Sequence, residues 1–149
     1  MRDLNLVLLQ QALRWQDPPA NRARFGALLD SVTGADLVLL PEMFSTGFTM
    51  EPAVCAEDMS GASIGWLREH AARLDAALGG SLAVREAAGF RNRFVLARPD
   101  GELECYDKRH LFRMAGEHHS YLAGERRVLI EWRGWRLCPM VCYDLRCPV

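Results

Sequence analysis

Three short segments of the chain each end an apolar run with a reactive side chain. They carry the carboxylate of Glu42, the ammonium of Lys108 and the thiol of Cys142, in that order. A thiol with its ordinary pKa of about 8.5 is only a few per cent ionised at neutral pH, so a cysteine nucleophile also needs a base and an oxyanion partner. Glu42 is the candidate base and Lys108 the candidate cation. These residue types predict a Cys-Glu-Lys hydrolase.

Strands must hold these three groups at their ends. Apolar runs predict two buried strands early in the chain, and turn signals separate five more; the predicted strands cover residues 4–11, 36–41, 81–85, 93–98, 102–106, 128–132 and 135–141. Cys142 directly follows the last of them. Rigid strands with reactive groups at their ends are a common way to build a site.

Two amphipathic helices lie between the early strands. The first has apolar residues at helical spacing, is capped by Asn21 and ends near Gly34. The second carries apolar residues from Ile64 to Leu78 and is stopped by the glycines at 79 and 80. Residues 45–61 and 109–124 are predicted loops, the second long enough to be functional. The order of elements predicts an α/β fold with helices on one face of a sheet, and a second layer on the other face.

Composition excludes several classes of partner. The 149 residues fit one domain, and 18 basic residues oppose 19 acidic ones, so no global field favours nucleic acid or an anionic membrane. The start of the chain lacks the apolar stretch of a signal peptide, and nothing approaches the length of a membrane span. Five cysteines without regular spacing predict free thiols in the cytoplasm.

Three longer motifs surround the reactive residues. LLPEMF at 39–44, YDKRHLF at 106–112 and VCYDLR at 141–146 resemble the three signature blocks of the nitrilase superfamily of carbon–nitrogen hydrolases, in the family's order. DKRHLFRM at 107–114 and EWRGWR at 131–136 resemble its bacterial ω-amidase branch. That branch hydrolyses the terminal amide of 2-oxo acids such as 2-oxoglutaramate to carboxylate and ammonia.

The resemblance implies a fold and an assembly. It predicts a carbon–nitrogen hydrolase domain over residues 1–149 that forms the N-terminal part of a four-layer αββα sandwich and is incomplete at its C-terminus. It also predicts a small-molecule amide substrate, a homodimer when full length, and no metal or organic cofactor.

The resemblance also implies a role for each matching residue. Cys142 is the expected nucleophile, forming a thioester, and Glu42 the residue that moves the protons. Lys108 is expected to stabilise the oxyanion together with the backbone N–H of Tyr143. Glu117, seven residues before a glycine as in the family, is expected to hold Lys108 and to help place the substrate amide.

Other interpretations stay open or are disfavoured. Phe44 is predicted to line the substrate wall, with a place in the core as the alternative. Cys147 replaces the aromatic residue that the family usually has just before the proline at the end of its third block, so substrate preference is less secure than reaction type. Another amidase of the superfamily, acting on a deaminated peptide or a carbamoyl amine, is the alternative, as is a truncated non-catalytic fragment. A zinc site at His118 and His119 with the nearby cysteines is disfavoured, because the cysteine spacing is irregular.

Overall fold

A five-stranded sheet organises the chain in the computed structural model, which describes residues 3–147. Its strands lie side by side in chain order: β1 (Leu6–Leu8), β2 (Leu37–Leu39), β3 (Ala77–Glu86), β4 (Gly89–Ala97) and β5 (Leu103–Asp107). The pairs β1–β2 and β2–β3 are parallel, whereas β3–β4 and β4–β5 are antiparallel hairpin pairs. Strands β2, β3 and β5 therefore run in one direction and end at the same edge of the sheet.

Two helices, α1 (Pro18–Leu29) and α3 (Ala62–Leu74), cover one face of this sheet. The carboxylate of Asp17 caps α1 by accepting the Ala20 N–H at 3.1 Å, and the prolines that follow it fit the first turn, where no N–H is needed. The prediction that Asn21 caps this helix was wrong. Asn21 lies inside the helix, fully buried, and its side chain hydrogen-bonds the backbone of Arg14 and Ser45.

The end of α3 also differs from the prediction. The helix ends at Leu74 and the left-handed Asp75 (φ 47°) turns the chain into β3, so Leu78 and both glycines belong to the strand. A side chain on Gly79 would collide with the ring of Phe94, and one on Gly80 would collide with Leu40 and Phe44. These glycines permit close packing against the sheet rather than stopping a helix.

Short elements complete the described part of the chain. A hairpin of β6 (Ile130–Trp132) and β7 (Trp135–Leu137) packs over the second face of the sheet, where Ile130 joins Leu37, Ala77 and Leu96. The predicted loops contain α2 (Pro52–Cys55), α4 (Glu117–Ser120) and a 3₁₀ turn at Arg113–Ala115, and a second 3₁₀ helix covers Cys142–Arg146. The α/β prediction is confirmed, although several predicted strands are shorter.

The second face of the sheet remains partly open. The apolar side chains of Leu6, Leu8, Met140 and Leu145 are each between 46% and 66% exposed. None of the helices within residues 3–147 combines the length and the apolar character needed to span a bilayer.

Candidate active site

Glu42 and Lys108 meet at the edge of the sheet where β2 and β5 end. Glu42 lies three residues after β2, and Lys108 directly follows β5. The Nζ atom of Lys108 lies 2.7 Å from Oε1 of Glu42. The Lys108 side chain is completely buried, while that of Glu42 retains 19% exposure. The base and the cation predicted from the sequence are thus in direct contact, and the carboxylate still reaches the surface.

Glu117 joins them from the loop that follows β5. It begins the short helix α4 and is fully buried, with Oε2 at 2.9 Å from Nζ of Lys108. The same oxygen accepts the backbone N–H of Phe112 at 2.6 Å, which folds the loop back onto the lysine. The structure therefore brings Glu42, Lys108 and Glu117 together, as the sequence predicted.

The buried ammonium remains charged in this setting. Burial alone would lower the pKa of Lys108, but hydrogen bonds and charge attraction from Glu42 and Glu117 outweigh it and raise the pKa above its usual value. A buried cation between two carboxylates avoids the cost of an uncompensated charge. Lys108 can thus donate hydrogen bonds at neutral pH without giving up its proton.

Cys142 lies beside Glu42 at the start of the 3₁₀ helix. The residue is exposed, its backbone is left-handed (φ 46°), and it lines one pocket with Glu42, Ser81 and Phe94. The predicted strand does not reach it, because β7 already ends at Leu137. Burial and the nearby Glu42 carboxylate raise the pKa of the Cys142 thiol, and Lys108 opposes this only in part. The resting thiol is therefore protonated at neutral pH and needs a base to react.

Asp144 holds the segment that carries Cys142. The carboxylate is 2% exposed and accepts hydrogen bonds from the Tyr106 hydroxyl at 2.8 Å and from the N–H groups of His110 and Val141 at 2.9 and 3.0 Å. Although burial disfavours its charged form, these bonds keep the pKa of Asp144 below its usual value. A buried anion thus ties the segment that carries Cys142 to β5 and to the loop after it.

The two predicted substrate contacts have different outcomes. The Tyr143 ring packs on Phe112 with centroids 5.2 Å apart, next to Cys142 in the sequence, and the predicted role of its backbone N–H stays a prediction. Phe44 is fully buried, and its ring packs against Phe25 and Trp66 with centroids 6.0 and 5.7 Å apart. The prediction that Phe44 lines the substrate wall was therefore wrong, because its side chain lies in the core between the sheet and the helices.

Comparison with known proteins places this arrangement in a family. The sequence model of the carbon-nitrogen hydrolases matches residues 6–149. The chain belongs to the carbon-nitrogen hydrolase family. It is 54% identical over 149 residues to the omega-amidase YafV of Yersinia enterocolitica, covering 100% of this chain and 58% of that protein.

Two further relatives agree with this assignment. The chain is 32% identical over 117 residues to the 2-oxoglutaramate amidase of Bacillus subtilis, covering 76% of this chain and 45% of the relative. The carbon-nitrogen hydrolase XC1258 of Xanthomonas campestris, solved with an arsenic adduct in its active site, superposes with a TM-score of 0.97 at 52% identity and covers 99% of this chain and 56% of that one. The chain thus spans about half the length of these relatives.

Sequence reasoning missed two residues at the edge of this candidate site. Asn92 donates hydrogen bonds from Nδ2 to Glu42 and Glu117, and Asp144 holds the nucleophile segment. Side chains alternate between the two faces of a strand, so the sequence places Asn92 on the same face as Phe94 and Leu96. This alternation could have identified Asn92. No comparable periodicity marks Asp144, whose partners Tyr106 and His110 lie 38 and 34 positions away in the sequence.

The same edge offers no obvious place for a metal. Among residues 3–147, no group of three or more histidine, cysteine, aspartate or glutamate side chains is arranged to hold a metal ion. His118 and His119 instead stack on one another, with ring centroids 3.8 Å apart.

Proposed function

We propose that the protein is an amidase that hydrolyses the terminal amide of a small 2-oxo acid, such as 2-oxoglutaramate, to the carboxylate and ammonia. The observation that carries this proposal is the contact of Glu42 with Lys108 beside an exposed thiol at Cys142. The names of the relatives in Yersinia enterocolitica and Bacillus subtilis support the substrate class.

In the first half of the proposed reaction, Glu42 takes the proton of the Cys142 thiol as its sulfur attacks the amide carbon. The raised pKa of that thiol makes this proton transfer necessary at neutral pH. The carbonyl oxygen becomes an oxyanion in a tetrahedral intermediate. Glu42 then gives the proton to the amide nitrogen, the C–N bond breaks, ammonia leaves, and a thioester remains on Cys142.

Lys108 is the proposed electrostatic partner of the oxyanion. Its ammonium is buried, charged and fixed by two carboxylates, so little reorganisation is needed when negative charge develops on the substrate. The backbone N–H of Tyr143 is the proposed second donor. Glu117 holds the lysine and is proposed to contact the substrate amide.

In the second half, water replaces ammonia. Glu42 removes a proton from water, which attacks the thioester carbon, and the C–S bond breaks as Glu42 returns this proton to the sulfur of Cys142. The carboxylate product then leaves. None of these steps requires a metal or an organic cofactor.

The proposal extends to assembly and location. We infer a homodimer in the cytoplasm that acts on a small molecule and has no nucleic-acid or membrane partner. The near balance of 18 basic and 19 acidic residues supports the absence of a polyanionic partner, and the free cysteines are consistent with a reducing compartment.

The test is ammonia release by the whole protein, as its gene encodes it, from 2-oxoglutaramate, 2-oxosuccinamate, a carbamoyl amine and a nitrile. We expect the highest kcat/KM with one of the two 2-oxo acid amides. Cys142→Ala should remove this activity, whereas Cys138→Ala, which alters another exposed thiol nearby, should leave it unchanged. Preference for the carbamoyl amine would replace the substrate proposal, and turnover in Cys142→Ala would end the mechanism.

A further inference from the structure

Asn92 occupies the centre of the charged cluster. It lies in β4, is 1% exposed, and its Nδ2 atom donates to Oε1 of Glu42 at 2.8 Å and to Oε1 of Glu117 at 2.9 Å. Lys108 contacts the same two carboxylates from its Nζ atom. The amide and the ammonium therefore bridge the same pair of glutamates, and the four side chains form a closed ring of hydrogen bonds.

The backbone explains why Asn92 reaches this position. Strand β4 runs opposite to β3 and β5, so its beginning lies at the edge where β2 and β5 end. The carbonyl of Asn92 also accepts the backbone N–H of Lys108 at 3.0 Å. One residue thus fixes the main chain of the lysine and the side chains of both of its partners.

The net charge of the ring favours a neutral hydrogen-bond donor at position 92. With both glutamates ionised, one ammonium leaves a net charge of −1, and two neighbouring carboxylates disfavour each other's ionisation. The amide supplies two N–H groups without adding a second positive charge that would draw Glu42 away from the thiol. Its own Oδ1 atom is buried and has no hydrogen-bond partner among the described residues. A buried acceptor without a partner is costly, so packing alone does not account for an amide here.

We propose that Asn92 is a positioning residue that holds the Glu42 carboxylate aimed at the thiol of Cys142. This inference rests on the proposed amidase function, in which Glu42 moves the protons. The groups that face Glu42 are the ammonium of Lys108, the thiol of Cys142 and, across the ring, the carboxylate of Glu117. Asn92 would act through Glu42, whose Oε1 atom accepts its hydrogen bond.

The test compares three variants of the whole protein. Asn92→Leu removes the amide at nearly constant shape, and Asn92→Asp keeps the shape but replaces the donor with an acid. Asn21→Leu is the matched control, because it makes the same change at another buried, hydrogen-bonded asparagine that contacts no member of the ring. All variants are compared after near-UV circular dichroism confirms that they are folded.

We expect Asn92→Leu to lower kcat for 2-oxoglutaramate by roughly tenfold or more while KM changes less than threefold. A carboxylate that loses a hydrogen-bond donor ionises at higher pH, so the acidic limb of the kcat profile should move up by about one pH unit. Asn92→Asp should move the acidic limb further up, because the aspartate adds a third carboxylate to the ring. Asn21→Leu should lower the melting temperature without moving the limb.

A measurement without substrate separates this inference from the proposed function. Carbon-13 NMR of glutamate carboxyl groups, with the Glu42 signal assigned from Glu42→Gln, follows ionisation directly. A higher titration midpoint in Asn92→Leu than in the unchanged protein supports the positioning role even if no amide is hydrolysed. An unchanged midpoint and acidic limb in a folded Asn92→Leu variant would overturn it, as would an equal shift in Asn21→Leu.

Discussion

The two halves of the site are built in opposite ways. Glu42, Asn92, Lys108 and Glu117 form a closed network on a five-stranded sheet, in which the lysine and Glu117 side chains have no exposure. Cys142 instead begins a short 3₁₀ helix after a two-stranded hairpin, and its thiol is exposed. The groups proposed to manage protons and charge are thus fixed inside the fold, while the group proposed to form the covalent bond stays accessible.

The two halves also depend on different numbers of contacts. Each member of the charged network has at least two polar partners, so the loss of one leaves others in place. The nucleophile segment is joined to the rest of the site chiefly through the Asp144 carboxylate. Substitutions should therefore act on chemistry in the first half and on the position of the nucleophile in the second.

The largest effect is expected at Cys142. Replacement by alanine removes the sulfur that forms the thioester, so ammonia release should fall to the background rate. Cys142→Ser should retain only a trace of ammonia release, because a hydroxyl is much harder to ionise than a thiol. Mass spectrometry during turnover should detect an acylated enzyme in the unchanged protein and none in the alanine variant. An acyl adduct on another residue would contradict the assignment.

A large effect is also expected at Lys108. Lys108→Met should lower kcat by roughly 10²-fold or more, as removal of an oxyanion donor does in other hydrolases. It also leaves two carboxylates without their cation, so the free energy of unfolding should fall by about 3–5 kcal/mol. Both quantities are measurable in one preparation by ammonia release and urea unfolding. A loss of kcat below threefold would remove Lys108 from the proposed role.

A smaller effect, dependent on pH, is expected at Asp144. Asp144→Asn should lower the free energy of unfolding by about 1.5–3 kcal/mol at neutral pH, because hydrogen bonds to a charged acceptor are lost. The folded-state pKa of Asp144 lies below its unfolded value, so its stabilisation is fully present above the unfolded value of about 3.9. That stabilisation is lost as pH falls through the folded pKa. Urea unfolding at several pH values should show that the difference in unfolding free energy between the unchanged protein and Asp144→Asn becomes smaller in acid. A difference that stays constant with pH would contradict this role.

The smallest effect is a shift in the reactivity of the Cys142 thiol. Because the Glu42 carboxylate helps to raise the pKa of this thiol, Glu42→Gln should lower it, although the same change removes the proposed base. The rate of alkylation by iodoacetamide, followed by peptide mass spectrometry, should have its midpoint at lower pH in the variant. The exposed Cys138 serves as an internal control whose midpoint stays fixed. A rise in the midpoint at Cys142 would show that the carboxylate does not face the thiol.

The sequence predicted the charged centre better than its surroundings. Glu42, Lys108 and Cys142 stand in motifs whose residue types identify their chemistry, and the structure brings Glu42 and Lys108 into contact as expected. Phe44 could not be placed in the same way, because an aromatic residue after a strand fits either a pocket wall or the core. Its burial depends on Phe25 and Trp66, which belong to helices distant in sequence.

The limits of the fold prediction have a similar physical origin. Leu78 continued the apolar period of α3, yet it pairs with Val38 in the parallel sheet. Local periodicity cannot distinguish the end of a helix from the start of a buried strand when both are apolar. Asn92 was missed because its importance comes from carboxylates 50 and 25 positions away in the sequence.

The left-handed backbone at Cys142 implies that stability and the proposed activity place opposite demands on this residue. A side-chain-bearing residue with a φ of 46° carries about 1–2 kcal/mol of conformational strain, which glycine would relieve. The thiol is exposed, so little packing would be lost in exchange. A glycine at this position should make the protein harder to unfold and would remove the proposed nucleophile, which means that selection for stability alone would discard the residue on which the proposed turnover depends.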